Sequence, residues 1–158
     1  ARATASSALA ALGELGITTS TVAARRFGGP GSAVAAASRL GVTIEQVLWS
    51  NVEAVLQAAR AVDLIVSTLP AGVADPLAQC LDVRDGQVLL DVVYSPRNTA
   101  LRSVFEAGGG IVAEGTDMLV YQAGAQVQLM TGRSPDIDVM RTALEEELEQ
   151  RSREGAAS

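Results

Sequence analysis

The feature that most constrains this chain is the apolar run Gln87–Val93 (QVLLDVV) and the way it stops. The run has strand length, and Tyr94-Ser95-Pro96 follows it directly. Proline forces the residue before it out of the helical region, so the strand must end there. Thr99 opens a helix through Ala107, and Gly108-Gly109-Gly110 closes it, because glycine enters left-handed conformations freely. Ile111–Ala113 then reads as a second short strand, and Glu114-Gly115-Thr116 as the turn into a helix over Met118–Thr131. Strand, helix, strand, helix at this spacing predicts βα units on a mainly parallel sheet. Ligands of open parallel sheets bind outside the carboxyl ends of the strands. Tyr94 and Gly115 fall at such ends, and Gln122 lies one turn into the following helix.

The rest of the chain extends the same alternation. An alanine-rich helix, Thr4–Leu15, is closed by Gly16, and no strand precedes it, so the chain reads as starting partway through a βαβ unit. Ile17–Ala24 is rich in β-branched residues and reads as the next strand. Gly28-Gly29-Pro30-Gly31 leads into a helix over Ser32–Leu40. It lacks the Lys-Ser/Thr ending of a phosphate loop, and Pro30 removes one of the amides such a loop would offer. Gly41–Trp49 reads equally as a short strand or a broken helical turn. Ser50-Asn51 caps a helix over Val52–Ala61. Leu64–Thr68 is a strand ending in the turn Ser67-Thr68-Leu69-Pro70-Ala71-Gly72. Pro76 opens a helix near Leu77–Leu81 with Cys80 on its packing face. Met118, Leu119, Ala123, Val127 and Met130 share one helical face, expected to be core. Pro135 starts a last helix, Asp136–Arg151, striped by Ile137, Met140, Leu144 and Leu148. Residues 1–151 are therefore expected to form one doubly wound α/β domain, with a frayed, disordered tail over 152–158.

Composition restricts the chemistry more than the fold. There is no His, and the twelve basic residues are all Arg. A histidine base, a lysine acid or base and a Schiff base are thereby excluded. One Cys and scattered carboxylates give no metal-ligand cluster. No catalytic residue is identified in the chain. The net charge of −6 argues against nucleic acid as a partner, since phosphate backbones need clustered positive charge. No apolar run reaches the roughly 18 residues of a membrane span, and the N-terminus lacks the layout of a signal peptide. A cytoplasmic location is expected, as monomer or homodimer.

Arg25-Arg26 at the end of the second strand carries a specific implication. In dinucleotide-binding folds a carboxylate at this place holds the ribose of NAD. Facing a 2′-phosphate about 4 Å away, that carboxylate would be repelled by roughly 4 kcal/mol at an effective dielectric of 20. Arginine reverses the sign and grips phosphate with two parallel donors, which selects NADP. Solvated arginines at a strand end are the plainer reading of the same pair.

Two motifs carry a resemblance. D-x-x-Y-x-P-x-x-T-x-L (Asp91, Tyr94, Pro96, Thr99, Leu101), then G-x-x-M-L-V-x-Q-A (Gly115, Met118, Leu119, Val120, Gln122, Ala123) and Thr131-Gly132, resemble the C-terminal half of shikimate dehydrogenase. The resemblance implies a Rossmann-like NADP-binding domain and NADPH-dependent, reversible reduction of 3-dehydroshikimate to shikimate, a step of aromatic amino-acid biosynthesis. It further implies that Ala24, Arg25 and Arg26 meet the 2′-phosphate, where the family pattern is Asn-Arg-Thr and the Asn is lost here. Ser67, Thr68, Leu69 and Pro70 would lie on the adenosine side; the family has Asn-Thr-Thr-Pro-x-Gly there, so Ser67 and Leu69 depart from it. Val92, Gly115 and Met118 would border the nicotinamide, and Tyr94 and Gln122 the substrate. The family's catalytic Lys and Asp belong to an N-terminal substrate domain absent from this sequence, so the 158 residues alone are expected to be inactive. The alternatives are a quinate/shikimate dehydrogenase using NAD, which an acidic residue in place of Arg25 would favour, and a non-catalytic nucleotide-binding or regulatory module.

Overall fold

The structure, a computed structural model, describes residues 2–156. Helices and strands alternate along the chain as α1 (Arg2–Glu14), β1 (Thr19–Ala24), α2 (Ala33–Leu40), β2 (Thr43–Leu48), α3 (Val52–Ala61), β3 (Leu64–Ser67), α4 (Asp75–Ala78), β4 (Val88–Asp91), α5 (Ala100–Ala107), β5 (Ile111–Glu114), α6 (Gly115–Thr131) and α7 (Ile137–Ala156). The chain is α/β with parallel strands, as its pattern of apolar runs predicts. It divides into two compact units, Ala1–Val112 and Ala113–Ser158.

In the first unit the strands fall into two sheets. β1 pairs in parallel with β2 from Thr19↔Thr43 to Ala24↔Leu48, which settles Gly41–Trp49 as strand. The other sheet has the order β3-β4-β5, with β3 parallel to β4 from Leu64↔Val88 to Ser67↔Asp91. Each sheet has its own apolar cluster. Leu9, Ala36 and Ala37 pack with Val22 and Ile44 beneath the first. Leu89, Leu101 and Phe105 form the centre beneath the second, with Ala74 and Ala78. Phe105 and Leu89 are wholly buried, so an alanine-rich chain with 3% aromatics still places one of its two phenylalanines at the centre.

Local chemistry explains the helix ends. The Ser32, Asn51 and Thr99 side chains accept from the amides of Ala35, Ala54 and Arg102, capping α2, α3 and α5. The three glycines after α5 serve different needs. Gly109 is left-handed, with φ +77°. A Cβ on Gly108 would stand 2.7 Å from Val83 Cβ, and one on Gly110 2.8 Å from Phe105 Cδ1, so these two are demanded by close approach. The end of α3 is finished by side chains from the next turn. Gln87, 3% exposed, donates through Nε2 to the carbonyls of Ala59 and Val62, both at 2.7 Å. Arg84 donates to the Val62 carbonyl at 2.8 Å and to Asp63 Oδ1 at 3.1 Å.

The second unit is built on α6 and α7. A Cβ on Gly124 of α6 would stand 2.6 Å from Ile137 Cδ1, so glycine here lets the start of α7 approach. The core face expected for α6 is corrected. Gly115, Thr116, Val120 and Gly124 are the buried positions, while Val127 is 37% and Met130 85% exposed. Small residues, not the long apolar ones, mark the packed face. Cys80, expected in packing, is exposed, because α4 ends at Ala78. The helix α7 continues to Ala156, through the first part of the stretch expected to fray; Ala157 and Ser158 lie outside the described residues.

Candidate cofactor site

Three strand tips of the first unit carry the residues singled out from the sequence. At the end of β1 the Ala24 carbonyl accepts from the Trp49 amide at 2.9 Å, which holds that tip to the loop after β2. Arg25 and Arg26 follow, both exposed, and among the described residues no carboxylate is recorded in an ion pair with either. At the end of β3 Ser67 is buried, Thr68 and Leu69 are half-buried, and Pro70 is exposed. The Ser67 carbonyl accepts from the Val92 amide at 3.0 Å. That bond joins the loops expected on the two halves of a dinucleotide, Ser67–Pro70 and Val92–Tyr94, at neighbouring strand ends.

The β4 tip is organised by Asp91, 5% exposed. Its Oδ2 accepts from Thr99 Oγ1 at 2.8 Å, and its Oδ1 accepts from the Val93 amide at 3.3 Å. Thr99 Oγ1 in turn accepts from the Arg102 amide at 3.1 Å. One carboxylate thus closes the loop 92–99 onto the N-terminus of α5. That geometry makes Asp91 a loop anchor. Tyr94, 42% exposed, is carried on that closed loop with its ring available.

In the second unit α6 begins at Gly115, three residues before the expected start at Met118. Gly115, Met118 and Gln122 consequently sit at i, i+3 and i+7 of one helix face. Gly115 is buried, Met118 half-buried and Gln122 exposed. The sequence reading missed the polar tie on this helix: Asp117 pairs with Arg141 of α7, and the Arg141 guanidinium lies 5.9 Å from the Tyr121 ring centroid. Its signal was the spacing of Asp117 and Tyr121, one turn apart.

Comparison with known proteins gives these residues a context. The family model described as the shikimate 5′-dehydrogenase C-terminal domain matches residues 115–145. A shikimate dehydrogenase (NADP(+)) from Methanothermobacter thermautotrophicus is 31% identical over 101 residues, 61% of this chain and 36% of that protein. Among solved structures, Mycobacterium tuberculosis shikimate dehydrogenase superposes with a TM-score of 0.75 at 35% identity, over 90% of this chain and 53% of that one. The Thermus thermophilus enzyme, solved with NADP(H) and shikimate, gives 0.63 at 28% identity, over 86% of this chain and 48% of that one. The match therefore spans about a third of the length of the curated relative and half of the solved ones. In motif, family model and fold alike, the chain is similar to the C-terminal part of shikimate dehydrogenases.

Proposed function

We propose that this chain is the NADP-binding part of an NADPH-dependent shikimate dehydrogenase. The observation that carries the reading is the bond between the Val92 amide and the Ser67 carbonyl. It sets two candidate cofactor loops side by side at the ends of parallel strands, where such folds bind ligands. The donor set fits the cofactor: two exposed guanidinium groups at the β1 tip suit a 2′-phosphate dianion, and neither is committed to a carboxylate among the described residues.

Each residue then has a role. Arg25, with Ala24 and Arg26, holds the 2′-phosphate; Ser67, Thr68, Leu69 and Pro70 lie along the adenosine side. Val92 offers backbone to the nicotinamide end. Gly115 and Met118 line it too, Gly115 because it has no side chain to obstruct a flat ring. Tyr94 and Gln122 contact substrate: the phenol donates or accepts one hydrogen bond, and the amide does both. Bound NADPH supplies the hydride for reversible reduction of 3-dehydroshikimate to shikimate. These 158 residues contain no Lys and no His for the accompanying proton transfer, and none of them is assigned that role.

Calorimetric titration of the purified chain with NADPH and NADH tests the reading. NADPH binding at least tenfold tighter than NADH is expected; equal affinities would overturn it. Shikimate-dependent reduction of NADP by the 158-residue chain alone is expected to be undetectable, and steady turnover would refute the division of labour.

A further inference from the structure

Within the second unit, α6 carries Gly115, Met118 and Gln122 on one face, and α7 meets it on another. A helix turns by about 100° per residue, so Asp117, Tyr121 and Gly124 gather on one side of α6. That side lies roughly 120° round the axis from the face of Gly115, Met118 and Gln122. Two ties to α7 fall on it. A Cβ on Gly124 would stand 2.6 Å from Ile137 Cδ1 and 3.4 Å from Pro135 Cγ, so the helices approach closely there. Asp117 pairs with Arg141, and the same guanidinium lies 5.9 Å from the Tyr121 ring centroid.

The two ties restrain α6 differently. The start of α7 is fixed, since Asp136 Oδ1 accepts from the amides of Asp138 and Val139, both at 3.1 Å. Ile137 and Arg141 are one turn apart on that helix, so they address α6 from the same face. At Gly124, however, there is no side chain to interlock with Ile137, and that contact by itself is a pivot about which α6 can roll. Arg141 supplies a second point about 10 Å further along α6, in the turns that carry Gly115, Met118 and Gln122. It constrains the roll twice, through a carboxylate and through a ring face. Asp117 and Tyr121 stand at i and i+4, so one guanidinium meets both over only a narrow range of roll angles.

We infer that Arg141 is a positioning residue for the candidate site: acting from another side of α6, it sets the roll that aims Met118 and Gln122. The inference rests on the roles given above to those two residues. A roll of about 10° moves a side-chain tip about 6 Å from the axis by about 1 Å. A misplacement of about 1 Å costs a reaction about a hundredfold. Folding stability is little involved. The Asp117 and Arg141 side chains are 41% and 34% exposed, and ion pairs this open to water contribute little to it. The pair acts by direction, not by strength.

The test uses the 158-residue chain with Arg141→Ala, Arg141→Lys and, as control, Arg151→Ala, which removes an ion pair internal to α7. Residual dipolar couplings of the α6 amides, measured without ligand, report how its turns are oriented. Arg141→Ala is expected to change them over Gly115–Gln122 while moving the melting temperature by no more than about 2 °C. Arg141→Lys keeps the charge and should recover most of the change, and Arg151→Ala should cause none. Calorimetry then compares NADPH with adenosine 2′,5′-bisphosphate, which lacks the nicotinamide half. Arg141→Ala should weaken NADPH about threefold or more and the bisphosphate less than twofold, because Gly115 and Met118 border only the nicotinamide. Unchanged couplings in Arg141→Ala, equal changes in Arg151→Ala, no recovery by lysine, or equal weakening of the two ligands would each overturn the proposal. A chain that binds NADPH no tighter than NADH would instead overturn the cofactor reading, and the couplings would still decide the role of Arg141 in setting the roll.

Discussion

Removing the Asp91 carboxylate should loosen the whole β4 tip. Asp91 is 5% exposed and accepts two hydrogen bonds, from Thr99 Oγ1 at 2.8 Å and from the Val93 amide at 3.3 Å. A hydrogen bond to a charged group contributes about 1.5–3 kcal/mol, and the longer amide bond about 1. Asp91→Ala should therefore cost about 3 kcal/mol, or about 10 °C in melting temperature for a unit of this size. Asp91→Asn keeps the shape and one acceptor but presents an amide to one partner, so it should cost roughly half as much. Thr99→Val deletes the other end of the 2.8 Å bond and also the cap on α5, which is worth about 1 kcal/mol. Because the two residues share a bond, the double variant should lose about 1.5 kcal/mol less than the sum of the singles. Urea unfolding followed by circular dichroism measures all four. An Asp91→Ala cost within about 0.5 kcal/mol of zero, or strict additivity with Thr99→Val, would refute the anchor assignment.

Three further substitutions have defined expected outcomes. Arg25→Glu should weaken NADPH binding more than tenfold at low salt and leave NADH nearly unchanged, with the difference shrinking as ionic strength rises; equal losses for both would show that Arg25 does not meet the 2′-phosphate. Gly110→Ala should cost about 2 kcal/mol or more, because the added methyl meets the Phe105 ring at 2.8 Å and the Gln87 carbonyl at 3.0 Å. Gly124→Ala should cost about 1 kcal/mol or less, since its 2.6 Å contact is only the flexible tip of Ile137 and that side chain can rotate away. A reversed order in urea unfolding would refute the packing argument.

Much of the fold was legible because its punctuation is chemical. Asn51, Thr99 and the glycines after α5 mark helix ends by hydrogen bonding or by space, and each of these ends falls within a residue or two of its expected place. The tail of α7 was not legible: its glutamate–arginine pairs one turn apart, Glu147–Arg151 and Glu149–Arg153, support helix where the terminal position suggested fraying. The apolar face of α6 misled because Gly124 allows close approach to α7, and glycine carries no apolar signal in a periodicity count. The split into two sheets was hidden as well. Strand runs announce themselves in sequence, but which edges meet is a property of tertiary pairing. For the candidate site, the strand-end residues were readable from turn chemistry. The shared face of Gly115, Met118 and Gln122 emerged only when α6 was seen to start three residues early.

The way α3 is finished restricts how this chain can vary in length. Only Val62 and Asp63 separate α3 from β3, and their geometry is held from outside by Gln87 and Arg84. A residue inserted in that connection would pull the Val62 carbonyl away from two donors at once, leaving the buried Gln87 amide with the Ala59 carbonyl but without its second acceptor. The bend at Gly28–Gly31, by contrast, is exposed, and a Cβ added at any of its glycines would meet nothing within 4 Å. Length changes among related chains, and any engineered tag or graft, should therefore be accommodated before α2 and rejected before β3.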